Sequence, residues 1–499
     1  MKIFAAILLF MHINASAQVN GDWINSGLLK LRVNADGQLA TFNNLPASEI
    51  PEGSNNNIFK FVNLWISGID SGNSLRISTT NGYNNKTDFS QGPIDSLSYR
   101  GDDPSNWNNV WTVTSSQINN HRNNFKNKAY IVPDVIKNWP ANGIGKFYRY
   151  LAPFIDFDQN GIYEAAKGDY PNILGQQACF FILNDNYSEH KASGGQALKI
   201  EVYGMLYCFN DLKGVVFGKY YFVNRTDLEY TDIKVSIHTA FELGNNQDNY
   251  CGTLVSKNIV FGYNGDDNDE NHFGNSKPIA ASMILNKNLS SSLYISNDLN
   301  SETGMPSKPL EHRNFMEGHW KSSKNLTFGN DGLSTGKVAQ FVYPGKTDPQ
   351  FNTENWMETQ NPGDRSLLAN LSYPSLASKG YIELDFALLG YAQSQGDPYT
   401  FLENEANKIT HFWSSNVLSV QHPIAQNTLN IKNPIAIGEN FYCDWFQNFD
   451  QIELINNLGQ QVFQKNPKVE KELISLKTGI YFLILSVNNQ SITKKIIII

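Results

Sequence analysis

Leu198-Lys199-Ile200-Glu201-Val202-Tyr203-Gly204-Met205 sets apolar residues two apart, at 198, 200 and 202. Successive side chains of a strand point to opposite faces, so this period of two predicts a half-buried β-strand. The sequence around it carries the same signal. Upstream, residues 58–66 and 178–183 are rich in β-branched and aromatic residues and stop at Ser67-Gly68 and Asn184-Asp185-Asn186. Downstream, 215–223, 233–240 and 381–389 continue the pattern, bounded by Asn, Asp or Gly. Long strands separated by turn clusters predict a mostly β protein built as antiparallel sandwiches. Helical spacing is rare. It occurs at 117–127 and at 399–413, where Phe401, Leu402, Ala406, Ile409, Phe412 and Trp413 follow Asp397-Pro398. No repeat of fixed period is present.

Composition agrees. Hydrophobic residues make up 41% and aromatics 12%, enough to build a core, whereas charged residues are only 17%. Asn, Gly, Ser and Tyr fill the difference, as suits a β-rich extracellular protein with many turns. A chain of 499 residues is too long for one core and predicts two to four domains. We place a β-rich body at 18–415, of one or two subdomains. The net charge is −8, and becomes −9 if Lys2 is removed. No basic run interrupts the body, which excludes nucleic acid as a partner. Cys179 and Cys208 lie in strand-like runs. They pair if those strands are neighbours and are otherwise buried free thiols. None of the four cysteines, Cys251 and Cys443 included, has CxxC spacing.

The first residues read as a targeting segment. Met1-Lys2 is followed by an apolar run at 3–13 and then by Ala15-Ser16-Ala17, a small-x-small cleavage pattern. Residues 1–17 are therefore expected to be a signal peptide, with Gln18 as the mature N-terminus. The apolar run is shorter than the roughly 20 residues a spanning helix needs, and no later stretch reaches that length. No transmembrane segment is expected in the mature chain.

From about Val417 the strands shorten. Thr428-Leu429-Asn430-Ile431 and 451–455 alternate, Asn456-Asn457-Leu458-Gly459 signals a hairpin, and 480–487 and 492–499 are two further strands. Six or seven short strands predict a small sandwich. Leu458-Gly459-Gln460-Gln461-Val462, the Leu-x-x-Gly-Ile-Tyr pattern ending at Tyr481, and the closing Lys494-Lys495-Ile496-Ile497-Ile498 resemble the type A C-terminal sorting domain of cargo of the Bacteroidota type IX secretion system. The resemblance covers 418–499. It departs from the family's Pro-Asn-Pro opening, where Gln421-His422-Pro423-Ile424 stands instead. It implies an Ig-like sandwich recognised by the outer-membrane type IX machinery, after Sec export to the periplasm. The cargo is then released or attached to surface polysaccharide, hence secreted or at the cell surface. Asp88–Pro93, Trp139–Gly143, Leu151–Phe154, Gly168–Pro171 and Gly363-Asp364-Arg365 resemble a group of secreted proteins with the same tail and no assigned activity.

The strongest chemical constellation is Asp156-Phe157-Asp158-Gln159-Asn160-Gly161-Ile162. Hard cations take several oxygens at short range, and D-x-D-x-[DN]-G supplies three around a tight loop. Asp156, Asp158 and Asn160, the Ile162 carbonyl and Asp169 are the expected ligands of a structural calcium ion. Lys167 occupies the twelfth position, where an EF-hand needs Glu, so this is not an EF-hand. The alternative is a cluster of Asx turns capping its own backbone. A second acidic stretch, 242–250 with 264–270, is a further candidate metal site, but Ala240 and Thr253 stand where acids would be expected, so a solvated acidic loop is the simpler reading. Gly332-Leu333-Ser334-Thr335-Gly336 matches a nucleophile elbow, but lacks the preceding strand and the following helix. A strand is expected at 338–342 instead. No H-E-x-x-H or phosphate-binding loop is present, and no catalytic residue is assigned. The expected function is a non-enzymatic surface or adhesion-type role. The alternative is an extracellular hydrolase or carbohydrate-binding protein acting on polysaccharide, with paired carboxylates or a Tyr/Trp platform.

Overall fold

A computed structural model describes residues 18–416, apart from 149, 159, 267, 270, 271, 335, 360, 361 and 393–395. It further describes 451–456, 460–465, 476–487 and 490–498. The expected signal peptide, the strand at 428–431, Cys443 and the start of the tail lie outside these residues. The chain divides into two compact units, 1–420 and 421–499.

In the first unit, Tyr230–Phe241 is the middle strand of a five-stranded sheet in the order Ser291–Ile295, Ser366–Leu376, Tyr230–Phe241, Phe59–Ile69, Leu75–Ser78. The larger sheet runs Ser90–Gln91, Gln177–Asn184, Ile200–Cys208, Val215–Asn224, Tyr381–Tyr391, Ile279–Ile284, Ile259–Asn264, Asn249–Leu254. Trp111–Thr114 pairs beside Ser90–Gln91 on the strand Gln177–Asn184. Every ladder in both sheets is antiparallel. The sheets share one core, running from Ile24 to Leu388 and including Trp65, Phe181, Phe222, Val235 and Leu368. Buried hydroxyls join them at Thr239–Ser282 and Thr253–Ser292, 2.7 Å each, so these polar groups are satisfied inside the apolar layer.

Two expectations change. Ile200–Cys208 is buried at every position, not on one face. Its outward Glu201 is covered by Arg225, which pairs with it at 2.7 Å and lies 4.1 Å from the Tyr148 ring centre. Covering of the second face by distant segments overrides the simple alternation. Residues 338–342 form only isolated bridges, Thr327↔Val338 and Ser292↔Phe341. The two expected helices form. Ser115–Asn124 starts at a capping box between Thr114 and Gln117. Pro398–Asn416 buries Tyr399, Leu402, Ala406, Ile409 and Trp413, a stripe at helical spacing, and leaves Phe401 and Phe412 half-buried.

In the second unit, the described strands form one antiparallel sheet in the order Gln461–Lys465, Gln451–Asn456, Gly479–Val487, Gln490–Ile498. Ile452, Leu454, Leu483, Leu485, Ile496 and Ile498 are buried. Ile480 pairs with Ile497 and Tyr481 with Ile496, so the closing isoleucines are the last strand of this sheet.

Candidate metal centre

The loop at 156–169 leaves and re-enters the fold through a two-residue ladder, Phe154↔Pro171 and Ile155↔Tyr170. Asp169 braces the neck. It is fully buried, and its two carboxylate oxygens accept N–H groups from Phe157 and Glu164, both at 2.7 Å. Its own carbonyl meets His121 Nε2 at 3.1 Å, which ties the loop to the helix Ser115–Asn124. Tyr163 anchors the far side, donating from its N–H to Asn142 Oδ1 at 2.5 Å and from its hydroxyl to the Ile136 carbonyl at 2.6 Å. Gly161, at φ 76°, makes the sharp turn and donates to Asp156 Oδ2 at 2.6 Å.

This folding brings Asp156, Asp158 and Asp169 together, with one carboxylate oxygen from each lying within 4.8 Å of the others. Of the five expected ligands, these three converge. Asn160 turns its oxygen to the Ile162 N–H at 2.7 Å and its amide to Asp158 and Glu164 at 3.0 and 2.8 Å. Ile162 enters the loop through that N–H, and its side chain stands out in solvent. Burial, followed by the neighbouring Asp156 and Asp158 charges, pushes the Asp169 carboxyl above the usual carboxylate range, against the pull of its two backbone donors. Glu164, which the motif reading missed, borders the cluster by accepting from Asn160 Nδ2. It lies at the ninth position of the loop, an acidic residue that spacing alone could have flagged. Lys167 caps the group from outside, 2.5 Å from Glu164 and 3.9 Å from Asp158. Three converging carboxylates suit a hard cation, and the loop's internal hydrogen bonds are equally those of an Asx-turn cluster.

The other sequence signals resolve as structure. Cys179, Cys208 and Cys251 are free and buried. Cys179 lies opposite Leu206 and Cys208 opposite Gln177, so the neighbouring strands hold the first two out of register. Ser334 sits in a turn with no helix after it. Glu311-His312 lies on the helix Pro309–Met316. His238 and His312 pack edge-on against Trp65, at 5.1 and 4.9 Å between ring centres. Burial lowers their pKa values to about 3 and about 4, leaving two neutral core imidazoles. Among the described residues every Trp and Tyr side chain is buried or half-buried. Within the second acidic stretch Asn249, Asn264 and Asp269 are buried, whereas Gln247, Asp266 and Asn268 are exposed.

Among the described residues no helix is long and apolar enough to cross a membrane. Among curated proteins, none matches the chain. Residues 425–499 match the family described as the secretion system C-terminal sorting domain. This domain makes the chain a cargo of type IX secretion, engaged by that machinery and delivered to the medium or the cell surface.

Proposed function

We propose that the body is a non-enzymatic surface or adhesion-type module, stabilised by calcium at the loop 156–169. The observation that carries the calcium reading is the convergence of Asp156, Asp158 and Asp169 on one point of a loop clamped at both ends. Asn160, Glu164 and the Ile162 carbonyl complete the oxygen set once Lys167 is displaced. The surface role is supported by Ile131, Ile144, Phe157 and Ile162, large apolar side chains exposed on the stretch that carries the loop. Attachment is expected at the outer surface, where polysaccharide is the available anchor.

Thermal melting of the secreted chain with calcium and with EDTA tests the metal. Chelation is expected to lower the Tm, and Asp156→Ala is expected to abolish most of the difference. Identical melting curves under the two conditions would sink the calcium reading. Retention of the wild-type protein on washed cells, compared with that in calcium-free buffer, tests the surface role.

A further inference from the structure

The turn after Tyr230–Phe241 and the loop after Ile259–Asn264 meet at a second group of oxygens, separate from the loop at 156–169. Asn249 and Asn264 lie directly opposite each other on neighbouring strands, so their side chains share one face of the sheet about 5 Å apart. They are 2% and 5% exposed, and the Oδ1 atom of each has no hydrogen-bond partner. Glu242 Oε2 is likewise shut off from solvent and has no partner. Asn246 links two of these residues, donating to Glu242 Oε1 at 3.2 Å and accepting from Asn249 Nδ2 at 3.5 Å. Asp269 closes the group from the other side. Its carboxylate lies over Gly244, at φ 82°, with Oδ2 only 1.5 Å from where a Cβ would stand, so any side chain at 244 would displace it.

A buried acceptor left unmade bears its full desolvation cost, and three such oxygens fall in this one region. Every unmet atom is an oxygen and none is a donor, which is the demand of a cation. Amide and carboxylate oxygens are the ligand types of calcium, and Glu242 with Asp269 supplies the two negative charges that match a divalent ion. The nearby Lys60 is engaged by Asp364 at 2.9 Å and so does not fill this role.

We propose that Glu242, Asn249, Asn264 and Asp269 form a second site for a hard divalent cation of the calcium class, which pins the strand pair Asn249–Leu254 and Ile259–Asn264 to the turn at 242–246.

The test uses the full chain carrying Asp156→Ala and Asp158→Ala, which silences the first loop, titrated with calcium chloride while the Tm is followed. A calcium-dependent rise in Tm is expected to persist. Glu242→Gln is expected to weaken the residual affinity about tenfold. Asn264→Asp adds a carboxylate ligand and is expected to strengthen it about tenfold while lowering the Tm in EDTA, where a further buried charge is uncompensated. The proposal is overturned if the silenced chain shows no response to calcium, or if Asn264→Asp lowers the Tm equally with and without calcium. Should the silenced chain fail to fold, metal analysis of the wild type serves instead. Asn264→Leu is then expected to remove one bound calcium per chain, and an unchanged count would overturn the proposal.

Discussion

Lys167 is the residue that most directly opposes a cation in the loop at 156–169. Its ammonium sits 2.5 Å from Glu164 and 3.9 Å from Asp158, in solvent-exposed ion pairs whose own contribution to stability is small. Lys167→Gln is therefore expected to leave the calcium-free Tm nearly unchanged and to raise calcium affinity severalfold, read by calorimetric titration. Equal affinities would show that the ammonium does not compete. The buried histidines make a different prediction. His238 has a folded pKa of about 3, below its unfolded value, so the unfolded chain takes up the proton first as pH falls. Stability from this group is complete above about pH 6.5 and is lost progressively below it, by at most about 1.4 kcal/mol per pH unit. His238→Phe should flatten the dependence of the urea midpoint on pH between 5 and 6.5, whatever its effect on stability at pH 7. A slope unchanged from wild type would contradict the assignment.

At the scale of elements, the helix Pro398–Asn416 was legible because its apolar residues recur at 402, 406, 409 and 413. Which of its aromatics packs inward was less so. Tyr399 is buried, with its hydroxyl donating to the Tyr343 carbonyl at 2.6 Å, whereas Phe412 rests against Phe209 at the edge, 4.9 Å between rings. Leu402 is fully buried, and Leu402→Ala should cost about 2–5 kcal/mol, measured by chemical denaturation. A loss below about 1 kcal/mol would mean that the helix is only loosely docked. The strand at 200–208 shows the converse limit. Its alternation was visible, but Arg225 and Tyr148 covering its outer face come from segments that periodicity does not connect. The motif at 156–162 was likewise readable as an oxygen-rich turn. That Asn160 spends its side chain on its neighbours, and that Asp169 braces the neck, depends on the ladder at 154–155 and 170–171.

For the molecule as a whole, address and body are separable predictions. Removal of 425–499 is expected to stop delivery beyond the outer membrane and leave the body in the periplasm, as fractionation with an antibody to the body would show. Delivery of the truncated chain to the medium would refute the role assigned to the tail. By itself the sequence determined what is local and periodic. The β class, the helices at 115–124 and 398–416, the acidic loop and the terminal sorting strands each declare themselves within a few residues, because side-chain direction repeats every two or 3.6 positions. Only the tertiary structure decided how the cysteines stand out of register, how the histidines come to flank Trp65, and how Asn249 meets Asn264. Those facts rest on strand register and on which distant segments cover a face, and a one-residue slip would change every one of them.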